Sequence, residues 1–334
     1  MGKVVTFGEI LMRITPLGNK KLKQSNQLEY YFGGTEANVA ISLSQLGNKA
    51  EFLTVISDDF MGKAVKSYLK QFEVDTESFI ELKHPLGLYF LEVGAVMRSS
   101  RISYNRANSA FSKIQPDMIN WETSLQNSQW FHWTGITPAL TEGSYLTLKE
   151  GLKKASEKGI IISADPAYRS DLWNYGREAQ EVLKELVAYS TIFIGGPNEI
   201  NELLDTSFPR DDEGFVEASK LLMKEFPSIK KVADKTRVSL NANWHKITSR
   251  MWDGNEMIKT RELEITHVVD RIGTGDAFAA GLIHGLLHYD DKKALAFANA
   301  ACAIKHTIEG DANLLSEEEV LYIIDGNTSG RMIR

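Results

Sequence analysis

Residues 270–276 read Asp270-Arg271-Ile272-Gly273-Thr274-Gly275-Asp276 and run directly into the apolar, helix-forming stretch AFAAGLIHGLLH of residues 277–288. Glycines at 273 and 275 permit a tight turn that aims successive backbone N–H groups outward, and the helix behind them adds its positive N-terminal end. Such a turn is an anion hole. A carboxylate within it would repel a phosphate that was merely bound, so Asp276 needs a different task. It can take the proton from an attacking hydroxyl while the backbone donors stabilise a phosphoryl group in flight. A positioned base is worth roughly 10²–10⁴-fold in rate, and preorganised donors are of similar order. Phosphoryl transfer to an alcohol uses both together. The expected catalytic set is therefore Asp276 with Gly273, Thr274 and Gly275. The plainer alternative is an aspartate capping a helix behind a glycine turn.

Working outward, short apolar runs alternate with amphipathic helical stretches: VVTFGEIL (4–11), EANVAISLSQLG (36–47), WFHWTGI (130–136), IIISADP (160–166), TIFIGGPN (191–198). That rhythm predicts parallel strands joined by crossover helices, a doubly wound α/β sheet whose ligands sit beyond the strands' carboxyl ends. Two stretches break it, residues 13–34 and 86–107. Both read as extended, and they are expected to pair as a small antiparallel lid inserted into one domain spanning 1–334. Neither a Walker P-loop nor a G-x-G-x-x-G fingerprint after the first strand is present, which removes support for P-loop kinases and nicotinamide dehydrogenases.

The 334 residues are 43% hydrophobic and 25% charged, an ordinary globular composition. A net charge of −6 argues against nucleic acid and for a small-molecule partner. The single cysteine, Cys302, excludes a disulfide framework and a thiolate metal site, so the cytoplasm is the expected compartment. No apolar run approaches the roughly 20 residues that span a bilayer, and no membrane partner is expected. MGKVVT matches the myristoylation pattern by letter, but Val4, Val5 and Phe7 read as a buried first strand. His284 and His288 share a helix face without a third ligand, so no metal site is assigned to them. His132, between Phe131 and Trp133, reads as a core or pocket-edge histidine.

The segment RSSRISYNR carries Arg98, Arg101 and Arg106 with no acidic residue, a local positive potential in an acidic chain. A substrate carboxylate would explain it, because the guanidinium fork matches a carboxylate. Arg106, with Arg169 of ADPAYR, is the expected pair. For Arg98 and Arg101 the alternative is solvation of an edge strand.

Taken together, GGTEANVAISLSQLG from Gly33 and the complete D-x-x-G-x-G-D of Asp270, Gly273, Gly275 and Asp276 resemble the ribokinase-like (PfkB) carbohydrate kinases. DRIGTGDAFAAGL, SYNRANSAFSKI and ADPAYRSDLW are similar to the 2-keto-3-deoxygluconate kinases within it. The resemblance implies a ribokinase-like fold and phosphorylation of the 6-hydroxyl of 2-keto-3-deoxygluconate by ATP with Mg²⁺, the alternatives being a kinase of a neutral sugar such as fructose or of another sugar acid, or a non-catalytic sugar-sensing protein. It implies substrate contacts at Gly34, Asn38, Tyr89, Tyr104, Arg106, Arg169 and Asp276. Nucleotide contacts are implied at Asn198, Lys235, Arg237, Gly273, Gly275 and Asn299, and a homo-oligomer formed through the lid. Tyr89 and Tyr104 read alternatively as lid core, Gly34 as a plain turn glycine, and Asn299 as an ordinary helix residue. One departure stands out. Family members carry N-x-x-E after a central strand, whereas this chain has Asn198 followed by Asn201 at the glutamate position, with Glu199 or Glu202 as substitutes.

Overall fold

The computed structural model describes residues 2–168 and 170–332. Strands β1 (Lys3–Phe7), β2 (Leu11–Pro16), β3 (Leu28–Gly33), β4 (Ala50–Leu53), β5 (Val55–Ser57), β6 (Ile80–Leu82), β7 (Gly87–Glu92) and β8 (Arg101–Asn105) make up the first third. Then come β9 (Ser128–Thr134), β10 (Ile161–Asp165), β11 (Ile192–Ile194), β12 (Lys231–Asn241), β13 (Trp244–Trp252), β14 (Met257–Lys259) and β15 (Leu263–Ile265).

The main sheet runs β4-β1-β9-β10-β11-β12 with all neighbours parallel, then turns antiparallel at β13 and β14, while β15 also pairs with β13. Strand alternation divides its side chains between two cores. Val4 and Trp130 face one, packed by the helices Thr35–Gln45, Thr274–His288 and Asp291–Lys305. Val5 and Phe131 face the other, packed by Glu142–Glu157, Ala179–Val187 and Asp212–Glu225. Burial on both faces explains why the central strands read as continuous apolar runs. The expected α/β fold with a mostly parallel sheet and a separate small sheet is what the chain adopts. Among the described residues, no helix is long and apolar enough to cross a membrane.

The small sheet has the order β3-β2-β7-β8. Each hairpin is antiparallel, as expected, but the junction between them is parallel, with Leu11 opposite Gly87 and Ile14 opposite Phe90. The lid is therefore a mixed sheet and not the purely antiparallel one expected. Both inner strands start beside Glu9, where a Cβ on Gly87 would lie 2.4 Å from the Leu11 side chain and 2.7 Å from Glu9 Oε1. Leaving the same corner in the same direction, they can only pair parallel. The first hairpin also begins two residues earlier than the sequence suggested, at Leu11.

Candidate active site

A cavity of about 580 Å³ opens at the carboxyl ends of β1, β9, β10, β11 and β12, under the lid. This is where the strand order reverses around β1, the position at which open α/β sheets bind ligands.

Its floor is the glycine turn. Gly273 caps the helix Thr274–His288 at φ +78, and a Cβ there would stand 1.9 Å from the carbonyl oxygen of Asp311, so both conformation and space require glycine. Gly275 faces the cavity, with Lys235 Nζ 3.5 Å from where its Cβ would be. Asp270 folds the turn by accepting the amides of Ile272 (2.9 Å) and Gly310 (3.2 Å). Asp276 stands in the first helical turn, yet its side chain caps nothing. Its Oδ2 accepts Nδ2 of Asn38 at 2.7 Å. Burial pushes the carboxyl up to about 7, against the opposing Asn38 hydrogen bond and with help from Asp165, Glu36 and Asp311. A carboxyl that titrates near neutrality in a cleft is suited to proton transfer.

The other end is built by the lid. Tyr89, Tyr104 and Arg106 all line the cavity, with Gly34 and Asn38 beneath them. The tyrosine rings lie 5.8 Å apart, and the Arg106 guanidinium sits 5.5 Å from the Tyr104 ring. Tyr89 donates its hydroxyl to buried Asp311, so that hydroxyl is already engaged within the protein. Burial and Asp311 hold its phenol far above the ordinary value. Gly34 lets the backbones meet, since a Cβ would be 2.1 Å from the carbonyl oxygen of Glu9. Arg169 lies outside the described residues.

Three acidic residues here escaped the sequence reading. Glu9, almost fully buried, accepts Nε of Arg106 at 2.7 Å and pairs with its second guanidinium nitrogen. Glu36 accepts the hydroxyls of Thr35 (2.6 Å), Thr134 (2.8 Å) and Thr137 (2.7 Å), and burial raises its carboxyl despite them. Asp311 ties the lid to the turn. Glu9 and Glu36 did leave one signal, a lone charge within an apolar run, VVTFGEIL and EANVAI; buried charges of that kind are retained when paired.

At the nucleotide end of the expected site, Lys235 and Arg237 line the cavity with Asp165, Glu199 and Asp234. Burial pulls the Lys235 ammonium down, but Asp165, Cys302, Asp234 and Glu199 outweigh it and hold it above the usual lysine value. Two expected residues do not reach the cavity. Asn198 is exposed on the helix Pro197–Leu204 while its neighbour Glu199 faces inward. Asn299 is buried against Ser249 (2.8 Å) and the Arg261 carbonyl (3.3 Å), because its face of the helix packs on β13. Asn201, at the expected glutamate position, closes its own loop through Phe208 and Thr206. The described residues present no cluster of three metal-ligating side chains. Asp165 and Glu199 are hard oxygen donors at the cavity wall and fit a Mg²⁺ carried mainly by phosphates.

His132 is fully buried against Ser163 Oγ (2.8 Å). The rings of His284 and His288 meet Asn48 and Glu317.

Residues 1–318 match the description "pfkB family carbohydrate kinase". The 2-dehydro-3-deoxygluconokinase of Thermotoga maritima is 36% identical, with a TM-score of 0.93 covering 98% of this chain and 100% of that one. The 2-dehydro-3-deoxygalactonokinase of Haloferax volcanii is 28% identical over 98% of both chains. An E. coli protein solved in complex with ATP and Mg²⁺ shares the fold at a TM-score of 0.83 and 22% identity, covering 97% of this chain and 99% of that one. With the family match spanning nearly its whole length, this chain belongs to the pfkB family of carbohydrate kinases.

Proposed function

We propose that this kinase transfers the γ-phosphoryl group of ATP to the 6-hydroxyl of 2-keto-3-deoxygluconate, the sugar acid also called 2-dehydro-3-deoxygluconate. The observation that carries the reading is the placement of Asp276 and Arg106 in one cavity, a proton acceptor in the glycine turn at one end and a guanidinium under the lid at the other. In this reading Asn38 orients the Asp276 carboxylate, which takes the hydroxyl proton as the oxygen attacks. The amides of residues 272–275 receive the moving phosphoryl oxygens, and Lys235 and Arg237 hold the phosphate chain. Arg106 and Arg169 hold the carboxylate, Tyr104 closes the sugar from above, and the lid excludes water. Mg²⁺ bound with the nucleotide would neutralise phosphate charge, with Glu199 and Asp165 as its nearest protein oxygens.

The galacto epimer, named in the Haloferax relative, differs at one hydroxyl. A neutral sugar is a second reading with an observation in its favour, since Glu9 already matches the charge of Arg106. Exposed Leu28, Tyr30 and Ile102 on the lid support self-association through that sheet.

The deciding experiment measures ADP release with 2-keto-3-deoxygluconate, 2-keto-3-deoxygalactonate and fructose. Highest kcat/KM on the gluconate epimer supports the proposal, and preference for fructose would sink it.

A further inference from the structure

Behind the glycine turn lies a buried cluster of four charges, of which Lys305 has no part in the chemistry above. Lys305, the last residue of the helix Asp291–Lys305, is 0% exposed. Its Nζ donates to the carbonyls of Ile308 (3.0 Å) and Gly310 (2.9 Å). Arg13 reaches in from lid strand β2 and pairs with Asp270 (2.6 Å) and Asp311 (2.9 Å). Two cations and two anions thus meet in a buried cluster that borders the cavity through Asp311.

A buried lysine is costly unless paired, and an apolar side chain of similar length would fill the space without that cost. What the ammonium does is visible in the loop it holds. That loop supplies the Gly310 amide to Asp270 and the Asp311 carbonyl that abuts Gly273, and Lys305 Cε lies 3.5 Å from where a Gly273 Cβ would be. The loop is therefore the back wall of the turn, and the ammonium is its cross-brace. Burial pulls the Lys305 ammonium below the usual lysine value, and Asp270, Asp311 and Asp276 oppose that, so its charge is held by the anions around the turn.

We propose that Lys305 is a positioning residue for phosphoryl transfer: by binding the Ile308 and Gly310 carbonyls, its ammonium holds the 308–311 loop against Gly273 and keeps the amides of the turn aimed into the cavity. The inference rests on residues 273–276 being the phosphoryl turn. It predicts a larger effect on turnover than on acceptor binding, because Lys305 bonds the loop behind the turn directly and reaches the lid only through Asp311, which holds Tyr89 and Arg13.

The test compares kcat, KM and thermal midpoint for the full chain and its Lys305→Ala and Lys305→Met variants, with the acceptor the wild type uses best. Lys305→Ala is expected to lose at least about tenfold in kcat with KM for the acceptor within about threefold. Methylammonium chloride, whose N–H groups fit the vacated space, should restore much of that loss and leave the wild type unchanged. Tetramethylammonium chloride, with no N–H to donate, should restore nothing. Lys305→Met keeps the aliphatic packing and should share the loss without rescue. Wild-type kcat in Lys305→Met overturns the proposal, as does a loss in Lys305→Ala that methylammonium does not recover. If Lys305→Ala does not fold, kcat of Lys305→Met decides, and failure of both to fold would show a role confined to stability. Failure of the base reading shows separately, as undiminished turnover in Asp276→Asn.

Discussion

Asn38 and Asp276, 238 positions apart, meet at 2.7 Å, the amide of one donating to the carboxylate of the other. The contact joins the first turn of an N-terminal helix to the first turn of a C-terminal one, so the proposed base is aimed by the opposite end of the chain. It also favours the charged carboxylate in a place where burial opposes it.

Removing the base while keeping its shape isolates its chemistry. Asp276→Asn is expected to lower kcat by roughly 10²-fold or more, while acceptor affinity measured by calorimetry changes little. Turnover within about threefold of wild type would exclude Asp276 as the base.

The pH profile follows from the raised carboxyl. With Asp276 as the proposed base the active form is the carboxylate, so kcat/KM should fall as pH drops through about 7. Asn38→Leu removes the hydrogen bond that favours the charge, and the acid limb should move to higher pH. A profile flat from pH 5 to 8, a range that brackets that midpoint, would contradict this assignment.

Stability carries the same sign. The folded protein keeps the Asp276 proton to higher pH than the unfolded chain, whose carboxyl titrates near 3.8, so ionisation costs stability progressively between 3.8 and about 7. The thermal midpoint of Asp276→Asn should exceed that of wild type at pH 8 by more than it does at pH 4. An equal difference at both would argue that the carboxyl is not raised.

Arg106 tests the acceptor. If it binds a sugar carboxylate, Arg106→Ala should cost about 2–5 kcal/mol in kcat/KM with the sugar acid, and much less with a neutral sugar. Equal losses on both would mean that the Glu9 pair serves only to hold the lid.

Gly273→Ala places a methyl 1.9 Å from the Asp311 carbonyl oxygen at φ +78. Left-handed geometry alone costs about 1–2 kcal/mol, so denaturant melts should show at least that loss, with kcat reduced further. Gly275→Ala meets only the Lys235 side chain, 3.5 Å away at Nζ, and should fold normally.

Much of this was legible in the chain. Alternating apolar runs announce a buried parallel sheet because that periodicity is local, and DRIGTGD announces a tight glycine turn opening a helix because its signals lie within seven residues. The parallel junction of the lid hairpins was not legible, since it depends on where two distant strands leave the main sheet. Nor was the diversion of Asn299 onto β13, because helix periodicity says that a face is covered and not by what.

The sheet, the turn and the residue types available for proton and phosphoryl transfer are properties of neighbours along the backbone and can be read from their order. Which charges meet depends on the folded chain: Glu9 with Arg106, Arg13 with Asp270 and Asp311, Lys305 with the loop behind Gly273. Those pairings join residues far apart in the chain, and the burial that makes them strong and shifts Asp276 toward neutrality exists only once the chain has closed around them.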